Sequence, residues 1–193
     1  FDNFSLTGTG ISTDLTASDY DNVGALAGVG GGHTVVDGIR STVPISNRSD
    51  VGGLIGTGNG YIANSSVSAN MTYVTGTAGG IVGLGYAYTA VRGTTYTGNI
   101  SASGSSAPSI AGGIMGSVGG TYFLGFGLRT AGKLDTVHFS GSIQGDSDIG
   151  GIVGDWEGEG SISNASSSAT ISAYTTHTTG NDSFGGIVGY GTN

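Results

Sequence analysis

The chain contains no cysteine, two prolines and a single lysine, and only 9% of its 193 residues are charged. Without cysteine there is no disulfide framework and no thiolate metal site, which fits an exported protein that does without crosslinks as well as it fits a cytosolic one. The scarcity of proline and the lack of a G-X-Y period exclude collagen. No apolar run approaches the roughly 18 residues that a membrane-spanning helix needs. Five Lys and Arg against 13 Asp and Glu leave a net charge of −8, the wrong sign for binding phosphate backbones, so nucleic acid is excluded as a partner. What the chain has instead is 41 Gly, 25 Ser and 23 Thr. Glycine at this density weakens helices, while 36% hydrophobic residues are too many for simple disorder. The chain opens on Phe1 with no Met or leader, the form expected of a mature, processed product.

Internal repetition organises everything else. The pattern x-G-[GA]-[LI]-x-G occurs at Val23–Gly28, Val51–Gly56, Ala78–Gly83, Ala111–Gly116, Ile149–Gly154 and Phe184–Gly189. Its first glycine falls at 24, 52, 79, 112, 150 and 185, giving spacings of 28, 27, 33, 38 and 35. Between these hexamers lies a second half-repeat, with small or apolar residues at offsets 0, +3, +5, +7 and +9 from Val36, Ile62, Val91, Leu134 and Ile162. From +3 onward it alternates with polar residues such as Ser66, Ser68 and Asn70, the period of a half-buried strand. Phe1, Phe4, Leu6, Gly8 and Gly10 fit the same offsets.

A unit of this size cannot bury its apolar face alone, whereas stacked units can. The expected fold is therefore all-β: a β-solenoid, or parallel β-helix, of about six coils built from glycine-rich repeats of 27–38 residues in one domain. That domain divides into a half-repeat at 1–10, repeats starting near 23, 51, 78, 111 and 149, and a terminal half-repeat at 184–193. Stacking places Leu26, Leu54, Ile81, Ile114, Ile152 and Ile187 in one aliphatic ladder. It also places Gly24, Gly52, Gly79, Gly112, Gly150 and Gly185 at a corner that needs either positive φ or close backbone approach. Because the residue after each ladder position is also apolar, one of the two columns is expected to face away from its own core and be covered by something else. One copy carries a ten-residue insertion within 117–133, and its apolar stretch (Tyr122, Phe123, Phe126) is expected to pack on such a surface.

Gly52-Gly53-Leu54-Ile55-Gly56, Gly79-Gly80-Ile81-Val82-Gly83 and Gly185-Gly186-Ile187-Val188-Gly189-Tyr190 resemble the GLUG repeat, a G-G-[LI]-V-G-Y core followed by a Ser/Asn-rich strand such as Ile162-Ser163-Asn164-Ala165-Ser166. The resemblance covers Val23 to Tyr190, and the first copy departs most, with Ala25 and Ala27. GLUG repeats occur in large secreted and surface-anchored proteins of bacteria and archaea, including adhesins. The resemblance implies that fold and an extracellular, cell-surface location, and no catalytic residues. A weaker resemblance points to subunits of methanogen-type sheaths or fibres.

Candidate chemistry is sparse. His33, His138 and His177 share no column, and Arg40, Arg48, Arg92, Arg129 and Lys133 are scattered, so the chain is expected not to be an enzyme and to hold no cofactor. Asp146, Asp148, Asp155, Glu157 and Glu159 form the one acidic cluster, a Ca²⁺ ligand set on density of hard oxygens alone, without an EF-hand loop or a nonapeptide repeat. Trp156 among them is a candidate for stacking on a sugar. Seven of the ten asparagines begin N-x-[ST]: Asn3, Asn47, Asn64, Asn70, Asn99, Asn164 and Asn181. They are glycosylation candidates, with accidental sequons in hydroxyl-rich strands as the competing reading. Phe1, Phe4 and Leu6 at one end and Ile187, Val188 and Tyr190 at the other carry half-repeats without polar caps, so head-to-tail stacking of copies is expected, with lateral contacts through the insertion. The leading functional expectation is a structural subunit of an extracellular sheath, fibre or surface layer. The alternatives are an adhesin stalk binding glycans and, behind it, a carbohydrate-active enzyme.

Overall fold

A computed structural model describes residues 1–13, 21–86, 88–103, 109–119, 130–173 and 182–192. These residues form strands, bends and turns and no helix. Every strand pairing among them is parallel and joins one repeat to the next. Six short strands, Val23–Gly24, Val51–Gly52, Gly76–Gly79, Ser109–Gly112, Asp148–Gly150 and Ser183–Gly185, make one sheet in chain order. In it Val23 pairs with Val51, Val51 with Ala78, Ala78 with Ala111, Ala111 with Ile149 and Ile149 with Phe184, the register that the hexamers predict. The remaining strands form a second network in which Val36, Ile62, Val91, Leu134 and Ile162 pair in succession. The arrangement is all-β with parallel sheets, compatible with the expected solenoid.

The core is one contiguous cluster. Leu54, Ile81, Ile114 and Ile152 are fully buried, and each aliphatic side chain so placed contributes about 1.5–3 kcal/mol. The next column is buried as well: Ile55, Val82, Met115 and Val153 are at most 2% exposed. This corrects the expectation that one column faces away. The chain bends at residues 53–54, 80–81, 113–114 and 151–152, so the ladder residue sits in the bend and its successor opens a new strand, and the alternation of faces restarts there.

The paired glycines have separate reasons. A Cβ on Gly112 would lie 1.9 Å from the Met115 carbonyl oxygen, so this position needs close backbone approach. A Cβ on Gly113 would lie 2.2 Å from the Phe139 ring, and one on Gly80 2.4 Å from Tyr96. Those two rings stack with centroids 5.4 Å apart and planes 16° apart, filling the core opposite the glycines. Positive φ is not the reason for the first glycine column. Left-handed backbone occurs instead two residues into the second half-repeat, at Asn3, Gly38, Asn64, Gly93, Thr136 and Asn164, with φ between 48° and 65°. Asparagine tolerates this region better than other side-chain-bearing residues, which explains three of the sequons structurally.

One register expectation is corrected at the first layer. Ile11, not Gly10, pairs with Ile45. Gly10 has φ 134° and takes up the extra residue, so an isoleucine rather than a glycine meets the core.

Candidate functional site

No constellation of catalytic type gathers among the described residues. His138 is exposed and its Nδ1 lies 2.7 Å from Ser166 Oγ on the neighbouring layer. Arg92 pairs with Asp135 at 3.4 Å, and hydrogen bonds from Asn164 and then Ser163 hold the Asp135 carboxyl below its usual value. The His33 side chain, Arg129 and His177 lie outside the described residues.

The acidic cluster divides. Asp146 turns inward beside Tyr73 and is 2% exposed; its N–H donates to Ser109 Oγ at 2.9 Å, and both carboxylate oxygens lack a partner. Burial, with the Asp146 charge adding, pushes the Tyr73 phenol well above its ordinary value. Asp155 occupies the column of Thr57 and Ser117, nearly buried. Desolvation, then the charges of Glu157 and Asp148, push its carboxyl up to about 6. Asp148 is raised by partial burial, and Glu159 is exposed on the next strand. No three of these groups come together as metal ligands among the described residues. Asp146 is buried in the bend after one strand, Asp155 is nearly buried on another and Glu159 is exposed on a third, so density along the chain does not become a ligand shell. Trp156 is only 9% exposed, its indole taken up by the core, and it offers no face to a sugar.

The sequons also divide. Asn47 is fully buried: its amide nitrogen donates to the carbonyls of Asp21 and Asp50, and its oxygen accepts from Thr13. It is a core cap rather than a surface acceptor, which corrects its place among the glycosylation candidates. Asn3, Asn64, Asn70, Asn99 and Asn164 are exposed, and Asn181 lies outside the described residues. Asn70 Oδ1 accepts from the Asn99 N–H at 3.0 Å, and Asn99 Oδ1 accepts from Ser142 N–H and Oγ at 3.2 and 2.8 Å, an amide ladder along the outer wall. Asn64 and Asn164 donate to Asp37 and Asp135 in the same inter-layer manner.

The residues expected to take part in assembly lie in the first and last layers of the described chain, apart from those of the insertion. Phe1 is 63% exposed and stacks edge-on against Phe4, which with Leu6 is half-buried. At the other end Ile187 is 38% and Tyr190 44% exposed, with Val188 half-buried and Phe184 45% exposed beside them. Tyr122, Phe123 and Phe126 fall outside the described residues. Sequence reasoning missed three exposed tyrosines on one wall, Tyr61, Tyr86 and Tyr88. Their signal was weak, because the wall between the two half-repeats varies in length and has no alternation to read.

A scan against protein-family models finds no match to this chain, and a search of curated proteins finds no relative. The GLUG resemblance therefore rests on the hexamers themselves.

Proposed function

We propose that the chain is a β-solenoid of about six coils that serves as a structural subunit of an extracellular surface assembly, polymerising by head-to-tail stacking. The observation that carries the reading is the contrast along the aliphatic ladder. Leu54, Ile81, Ile114 and Ile152 are sealed by the layers on both sides, while Ile187, the same position in the last layer, is 38% exposed on a face that also presents Phe184 and Tyr190. Among the described residues the strands of that layer pair on one side only, as do Ser5–Leu6 and Ile11–Ser12 in the first layer. A further layer in the same register, from another copy in this reading, would pair with these strands and cover these columns. The absence of cysteine, the five exposed sequons and the Ser/Thr-rich walls favour an extracellular, glycosylated setting.

The test is association of the purified 193-residue chain, followed by light scattering and electron microscopy. Rods whose length grows with protein concentration are expected, with a cross-strand reflection near 4.8 Å and a subunit repeat of roughly 29 Å for six coils. Ile187→Asp should leave monomers. A wild-type chain that stays monomeric at every concentration, with no such reflection, overturns the assembly reading.

A further inference from the structure

We propose that the wall bearing Tyr61 and Tyr88 is a binding groove for a neutral glycan chain, next to the first layer, where the Phe1 N-terminus donates to the Val35 carbonyl at 3.0 Å. The groove, about 350 Å³, lies between the strands Ala27–Asp37 and Ile55–Ala63 and the turn that carries Tyr88. Thr34, Val35, Asn59, Tyr61 and Tyr88 line it together with two glycines, and none of these residues is charged.

Tyr88 carries the argument. Its φ is +69°, a left-handed conformation that costs a bulky aromatic residue and would cost glycine nothing. In a chain with 41 glycines, this position nonetheless holds a tyrosine that is 75% exposed and gives nothing to the core. The surroundings fix that conformation. Thr89 is buried: its hydroxyl donates to the carbonyls of Tyr86 at 2.7 Å and Gly58 at 3.2 Å, and its own carbonyl accepts from the Lys133 N–H at 2.9 Å. The turn is thus tied to the layers on either side, and the ring is held out over the groove. Backbone strain maintained by its surroundings around an exposed side chain marks a functional position.

The chemistry selects the ligand. Tyr61, 42% exposed, and Val35, 53% exposed, extend the apolar surface beside Tyr88. The Asn59 carboxamide and both tyrosine hydroxyls make no hydrogen bond among the described residues. Aromatic faces with unengaged amide and hydroxyl groups suit a pyranose ring, which has an apolar C–H face and a rim of hydroxyls. An uncharged groove on a protein of net charge −8 favours a neutral sugar over an anionic one.

Calorimetric titration of the full chain with cellohexaose, laminarihexaose, mannohexaose and chitohexaose tests the proposal. Saturable binding of at least one is expected. Tyr61→Ala and Tyr88→Gly should each weaken it tenfold or more, while Tyr88→Gly leaves the melting temperature unchanged or raises it, because the strain is relieved. Arg40→Ala, remote from the groove, should bind like the wild type. The proposal is overturned if none of the four sugars binds, or if binding survives both tyrosine changes. It is also overturned if Tyr88→Gly lowers the melting temperature, which would make the ring structural, or if the tyrosine changes abolish side-by-side association of copies instead of sugar binding.

Discussion

The hexamer Ala111–Gly116 in the middle of the stack and Phe184–Gly189 in its last layer are nearly the same sequence in opposite surroundings. Ile114 is fully buried and Ile187 is 38% exposed; a Cβ on Gly113 would collide with Phe139 and the Gly151 carbonyl, while one on Gly186 would meet nothing within 4 Å. Burial here belongs to the stack rather than to the motif. A repeat makes its fold's demands on composition only where another repeat lies above it.

That contrast can be broken most severely at the second glycine. Gly113→Val forces the side chain into the Phe139 ring at 2.2 Å and should abolish cooperative folding, a loss of about 4 kcal/mol or more. Gly186→Val should change stability by no more than about 0.5 kcal/mol, both measured by urea denaturation. Equal effects would dissolve the distinction between interior and end. Next in size, Ile114→Asp buries a carboxylate with no partner and should cost several kcal/mol, about 3 or more, in thermal unfolding. Ile187→Asp should leave the fold nearly intact and act on association instead.

Asp155 sharpens the comparison through pH. Its folded carboxyl lies near 6 against an ordinary 3.8. The folded state therefore holds the proton more tightly, and the stability this group gives is fully present below about pH 4 and lost as the pH rises through about 6. Asp155→Asn should stabilise the protein by about 2 kcal/mol at pH 7 and by nothing measurable at pH 3.5, seen as converging denaturation curves. The smallest effect belongs to the amides. In a glycosylating host, peptides with Asn70 or Asn99 should carry glycan by mass spectrometry, and the peptide with buried Asn47 should carry none.

The period, the register and the aliphatic ladder were legible in the sequence, because a parallel stack repeats each environment and the residues at 54, 81, 114 and 152 answer it alike. The left-handed corner was present but disguised: Asn, Gly and Thr all occupy it, so no single letter marks the column that φ defines. Asn47 misled because a sequon carries no statement of depth. The inward turn of both Ile81 and Val82 depends on a bend at residues 80–81, which glycine permits without announcing. The groove at Tyr88 was illegible for a different reason, since only the backbone angle separates a decorative tyrosine from a strained one.

The register on either side of residues 119–132 has a further consequence. Val118 pairs with Trp156 and aligns with Gly85, while Lys133 pairs with Ala90 and Ser161. The same pairing is reached after 14 intervening residues in this layer as after the 4 between Gly85 and Ala90, with a register shift between Thr130 and Lys133. Extra residues between two fixed points of the chain cost only about 1 kcal/mol of entropy for such a difference in number, because the penalty grows with the logarithm of the length. The connection between the residues at 118 and 133 is therefore a natural graft point, where a lineage or an engineer can add peptide without rewriting the core.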